Sequence, residues 1–224
     1  MATLLRRAVA EAIGTAFLLA TVVGSGIMGE RLAGGNVAIA LLANALATGA
    51  VLAALILTFS SLSGAHFNPA VTLVDAAMGG LAWRDVSIYL LAQFGGAVAG
   101  VAVANAMFDL PIVFLSQRAR SGFSQLFSEF IATFGLLAVI RGCSAKRPDA
   151  LAFAVGAYIA GAYWFTSSTS FANPAVTLAR SLSNTFAGIR PADVPGFIIA
   201  QLLGALAAMV LFRWLNSGFV STKE

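Results

Sequence analysis

The six residues NPAVTL occur twice, at 68–73 and at 173–178, and no other feature restricts the fold of this chain so strongly. Each copy opens with asparagine, a favoured helix N-cap, followed by a proline suited to the first helical turn, so each reads as a helix start. The apolar residues that follow, 70–78 and 175–186, are too few to cross a bilayer. Two short helices with matched starts call for a fold that repeats itself.

Further anchors recur in the same order. EAIGTAFLLA from Glu11 is answered by EFIATFGLLA from Glu129, and LAQFGGAVAG around Gln93 by IAQLLGALAA around Gln201. Among them lie six apolar runs near 8–28, 37–59, 85–107, 124–142, 149–168 and 193–215, each about the length that spans a bilayer as helix. A chain of 224 residues that is 59% hydrophobic, 10% charged and of mean hydropathy +0.91 cannot hide so much apolar surface in one soluble core. The expected fold is therefore an all-α membrane protein, a single domain over 1–224. Its halves, 1–108 and 124–224, hold three spans each and are joined by a connector at 109–123 that contains Pro111. Because three is odd, the halves enter the membrane from opposite sides, as inverted copies. Their two half-helices then meet near the midplane by their N-termini, where broken helices place pores and binding sites.

Charge fixes an expected orientation. With both termini inside, Arg6, Arg7, Arg84, Arg141, Lys146, Arg147, Arg213 and Lys223 fall inside, against Arg31, Arg118, Arg120, Arg180 and Arg190 outside. Eight against five favours cytoplasmic termini in a multi-pass protein of the cell membrane, such as a bacterial inner membrane. The formal charge of +4 then reflects topology, and no basic cluster is dense enough for nucleic acid. The lead before the first span is too short for a removed signal peptide, so that span is expected to stay. One cysteine, Cys143, excludes an intrachain disulfide and a cysteine metal cluster and reads as packing. No metal site and no cofactor is expected.

The stretches SGAHFNPAVTL and FANPAV, the inverted repeat and the paired glutamates resemble the aquaporin, or major intrinsic protein, family over nearly the whole chain. That resemblance implies six transmembrane helices plus two re-entrant half-helices, a homotetramer with one pore per subunit, and passive passage of water or small uncharged solutes. It assigns the midplane pore motifs to Asn68, Pro69, Ala70, Asn173, Pro174 and Ala175. On physical grounds, two positive helix ends and two asparagine amides oppose cations and interrupt a hydrogen-bonded water wire. Backbone carbonyls of Gly64, Ala65, His66, Ser170, Phe171 and Ala172 are expected to line the approaches. Glu11 and Glu129, costly inside spans, are expected to accept hydrogen bonds from the re-entrant loops; a proton relay is the competing reading. His66, the sole histidine, has no second histidine or nearby carboxylate to suggest acid-base chemistry. The glycines and alanines of GGAVAG and GALAA are expected to allow close helix packing.

Family members narrow again outside the motif pair. Alignment on each asparagine carries that filter onto Thr48, Gly161, Ser170 and Val176, a ring without aromatic, histidine or guanidinium. A shift of two to four residues in the fifth span would bring Tyr163, Trp164 or Phe165 into it. Valine in place of the usual arginine removes a fixed charge and up to five donors. The pattern resembles bacterial aquaporins permeable to arsenite as its neutral acid, with glycerol, urea and boric acid comparable by size. Arg180, one turn beyond Val176, has two readings: a displaced charge at the outer vestibule, or, as preferred here, a side chain at headgroup depth paired with an acid.

Rival classes remain: a water-selective aquaporin, a coupled secondary transporter using Glu11 or Glu129, an intramembrane serine hydrolase, and a structural protein of membrane contacts. A Gly-x-Ser-Gly nucleophile motif is absent from the chain, so no enzyme is expected.

Overall fold

The computed structural model describes residues 2–217; Lys223, counted above on the inner side, lies outside the described residues. Eight α-helices appear in order: α1 Leu4–Leu32, α2 Val37–Ser63, α3 Pro69–Ala77, α4 Trp83–Met107, α5 Phe123–Lys146, α6 Leu151–Phe165, α7 Pro174–Arg180 and α8 Val194–Ser217. Among the described residues the only extended pairing is an isolated bridge between Phe114 and Ser183, which ties the connector to the stretch after α7.

The two short helices start as the sequence dictates. Asn68 caps α3 by accepting from the Ala70 amide at 2.9 Å, and Asn173 caps α7 from Ala175 at 2.9 Å and Val176 at 3.3 Å. Proline occupies the first helical turn in both. Among the described residues five helices, α1, α2, α4, α5 and α8, are long and apolar enough to cross a membrane.

The fifth span differs from expectation. In place of 149–168, α6 covers 15 residues and ends at Phe165, capped by Thr166, whose hydroxyl donates back to the Ala162 carbonyl at 2.6 Å. Helix of that length rises only about 22 Å. A turn at Arg147-Pro148-Asp149 delays its start, and the polar run Thr166–Ser170 turns into re-entrant backbone that continues the path inward.

Packing repeats between halves. Helix α1 packs on α4 and α2, and α5 on α8, while α2 against α6 joins the halves. Gly96 on α4 and Gly204 on α8 make the same close approach: a Cβ there would lie 2.2 Å from the Ala12 carbonyl and 2.3 Å from the Phe130 carbonyl, respectively. Any side chain at either site would push two helix backbones apart, so the small residues serve packing, as expected.

Candidate functional site: a passage between two half-helices

Both re-entrant loops carry left-handed residues that are not glycine. Ala65 (φ 51°) and Phe67 (φ 48°) precede α3, and Ser170 (φ 49°) and Ala172 (φ 48°) precede α7 at matching places. Such backbone costs of order 1–3 kcal/mol per residue and persists only where surroundings enforce it.

Two buried carboxylates do the enforcing. Glu11 Oε1 accepts from the Ser63 hydroxyl at 2.6 Å and the His66 amide at 3.0 Å, while Oε2 accepts from the Phe67 amide at 2.7 Å and Gln93 Nε2 at 2.8 Å. Glu129 Oε1 accepts from the Phe171 amide at 2.9 Å, and Oε2 from the Ala172 amide at 2.9 Å and Gln201 Nε2 at 2.6 Å. Each glutamine also donates to the threonine of its NPAVTL copy, Gln93 to Thr72 at 2.8 Å and Gln201 to Thr177 at 2.7 Å. All six side chains are fully buried. The chain repeats Gln93 and Gln201 in its anchors, and that repetition was the signal for a role that sequence reasoning left unassigned.

The half-helices lock to each other. Asn68 Nδ2 donates to the Ala172 carbonyl and Asn173 Nδ2 to the Phe67 carbonyl, both at 2.8 Å. One amide hydrogen of each asparagine is thus committed to the opposite loop, and the second takes no part in these two bonds. The Ala172 carbonyl, expected to supply an acceptor on the approach, accepts from Asn68 with one lone pair, and Ala172 lines the cavity.

A cavity of about 410 Å³ runs beside these residues, from Asp75, Gly80, Arg141 and Ser144 at one end, past Gly64–Asn68 and Ser170–Asn173, to Val176 and Arg180 at the other. Pro69, Ala70, Pro174 and Ala175 are buried behind it. Glu11 and Glu129 do not line it.

Of the expected filter, Thr48, Ser170 and Val176 line the cavity and Gly161 does not. Gly161 is exposed, and a Cβ there would meet nothing within 4 Å. On α6 the lining side chains are Leu151, Val155, Ile159 and Tyr163, spaced by about one helical turn. Tyr163 is buried and its hydroxyl lies 3.3 Å from Thr48 Oγ1. Counting back from Asn173 lands on Gly161, two residues before the α6 side chain that meets Thr48, with the non-helical Thr166–Ser170 run in between.

An aromatic, Tyr163, therefore lines the cavity together with Thr48, Ser170 and Val176, and so does the Arg180 guanidinium. Arg180 is 1% exposed, its Nε donates to the Ala187 carbonyl, and its guanidinium carbon sits 3.4 Å from the Phe171 ring centroid. No acidic partner is found for it among the described residues, which corrects the preferred reading of a headgroup-depth ion pair. The short half-helix holds that residue inside the fold. His66 also departs from expectation: Asp75, one helix length further on, places Oδ2 3.6 Å from its Nε2, and Nδ1 lies 3.1 Å from Thr72 Oγ1. Sequence distance concealed that carboxylate. Among the described residues no cluster of His, Cys, Asp or Glu could hold a metal ion.

Apolar crossing helices and a cavity threading past two opposed half-helix N-termini define a multi-pass membrane channel. The major intrinsic protein family model matches residues 1–149 and again 147–223. Aquaglyceroporin AqpS of Rhizobium meliloti is 56% identical over 212 residues, covering 95% of this chain and 91% of the relative. Probable aquaporin AqpM of Archaeoglobus fulgidus is 28% identical over 95% of this chain and 98% of its own length. In fold, the X-ray structure of the aquaglyceroporin from Plasmodium falciparum superposes with a TM-score of 0.71 at 20% identity, covering 98% of each chain. The chain belongs to the major intrinsic protein family, and is a channel for water and small solutes rather than an enzyme.

Proposed function

We propose that this channel passes small neutral polyhydroxy solutes, glycerol and urea-sized molecules and the neutral acid of arsenite among them, along with water. The observation that carries this reading is Val176, which presents an apolar wall where an arginine would otherwise add donors and charge. Tyr163 and Val176 line one stretch of passage together with the Thr48 and Ser170 hydroxyls, and the Ser170 Oγ has no partner. A polyol suits such a lining, with its carbon backbone against the apolar side chains and its hydroxyls against the polar ones. The relative named an aquaglyceroporin, at 56% identity, supports the same solute class.

In this reading Asn68 and Asn173 offer their remaining amide hydrogens to solute oxygen, and the helix ends oppose cations. Glu11 and Glu129 brace the loops. Their carboxylates are saturated with donors and lie behind the passage, which favours a channel over a coupled transporter. Cytoplasmic termini, the halves 1–108 and 124–224, and assembly as a homotetramer in a bacterial inner membrane follow the charge count, the repeat and the family resemblance.

Stopped-flow light scattering on proteoliposomes, with glycerol, urea, arsenite and water gradients, tests the proposal. Val176→Arg is expected to suppress glycerol several-fold more than water. Equal loss of both, or wild-type passage of water alone, would overturn it.

A further inference from the structure

At the connector-side mouth a second cavity, of about 260 Å³, is lined by three arginines, Arg118, Arg120 and Arg180, with Asn44, Gln125 and Thr169 among the polar neighbours. No carboxylate lines it. The acids nearby form no ion pair with these arginines: Glu129 is hydrogen-bonded to the re-entrant loop and Gln201, although its charge still acts on Arg120 and Arg180, and Asp193 holds the Arg190 side chain at 2.9 Å and the Arg120 backbone amide at 2.8 Å.

The three guanidinium groups are held but not saturated. Arg120 donates from Nε to the Gly188 carbonyl at 2.8 Å and from Nη1 to the Ser168 carbonyl at 2.9 Å, leaving Nη2 without a described acceptor. Arg180 Nη1 is fully buried with no partner. Arg118 rests over the Phe186 ring at 5.0 Å, a contact that orients the plane and uses no donor. Arg120 and Arg180 both lie against the Phe171 ring, at 4.9 and 3.4 Å. Burial, and after it the Arg180 charge, lower the Arg120 pKa to about 9, so it remains a cation at neutral pH. Arg120 and Arg180, buried like charges with spare, preoriented donors, are costly unless an opposite charge joins them, and Arg118 is exposed at the same opening.

We infer that this mouth is a binding site for a small free oxyanion of the phosphate or carboxylate kind, held by Arg118, Arg120 and Arg180, and that the bound anion obstructs the passage. The obstruction follows from Arg180, which lines both this cavity and the passage beyond it. The obstruction rests on the channel reading above, whereas the binding does not.

The test uses inorganic phosphate as probe, in two arms. In proteoliposomes with phosphate on both sides, wild-type glycerol flux is expected to fall several-fold relative to chloride at equal ionic strength. In Arg118→Gln, half-block should need roughly tenfold more phosphate, the effect of losing one charge-assisted contact. In detergent, phosphate should raise the thermal unfolding temperature of wild type more than of Arg118→Gln, with Arg118→Lys between them. Absence of any phosphate-dependent stabilisation, or equal stabilisation in wild type and Arg118→Gln, overturns the site. Binding without block overturns the obstruction alone. A wild type that passes no glycerol even in chloride sinks the polyol reading, and the unfolding arm then still decides whether the anion site exists.

Discussion

Replacing Glu129 by glutamine keeps the shape of the brace and removes its charge. Three donors converge on this carboxylate, the Phe171 and Ala172 amides and Gln201 Nε2. A glutamine offers one acceptor oxygen and one NH2 group. In its better orientation the oxygen serves Ala172 and Gln201, and the NH2 then faces the Phe171 amide donor to donor. Two buried donors are orphaned, the Phe171 amide and the new NH2 group, at about 1–3 kcal/mol each, and two charge-assisted bonds become neutral ones, at about 1 kcal/mol each. Relief of the buried charge offsets part of this. A net loss of roughly 2–4 kcal/mol results. The loop backbone at Ser170 and Ala172 is left-handed and is held there by those same bonds, so the damage should concentrate in the passage. The expected outcome is unchanged helix content by circular dichroism, a lower thermal unfolding temperature in detergent, and water and glycerol flux reduced together in proteoliposomes. A Glu129→Gln protein with wild-type stability and flux would refute the bracing argument. Loss confined to uptake driven by a pH gradient would instead favour the coupled-transporter reading.

Adjacent positions supply internal controls for the remaining predictions. Gly161→Leu should leave glycerol and water flux unchanged, since its Cβ points into open space, whereas Tyr163→Ala should admit larger polyols than wild type in a size series of solutes; the reverse pattern would restore Gly161 to the ring. Gly96→Ala should destabilise by about 1–3 kcal/mol in detergent unfolding, because its Cβ meets the Ala12 carbonyl, while Gly95→Ala, with nothing near it, should be neutral or slightly stabilising.

Much of this architecture was legible in the sequence because its causes are local. An Asn-Pro pair starts a helix whatever surrounds it, and apolar runs of bilayer length cross a membrane for reasons of solvation. The repeats EAIG and EFIA, NPAVTL twice, and AQ twice specified two equivalent halves, and an odd number of spans made them inverted. A glutamate in an apolar span required partners. The partners themselves were decided by tertiary structure: Gln93 lies far from Glu11 in sequence and meets both it and Thr72 only when α1, α3 and α4 pack. The same holds for Asp75 beside His66 and for Tyr163 beside Thr48, a contact between α6 and α2 that only their packing creates. Arg180 marks the boundary most clearly. Its place one turn after Val176 is fixed by helical geometry, but its burial against Phe171, with Arg118 and Arg120 at the same mouth, depends on how the connector folds over the half-helix, and no local rule encodes that.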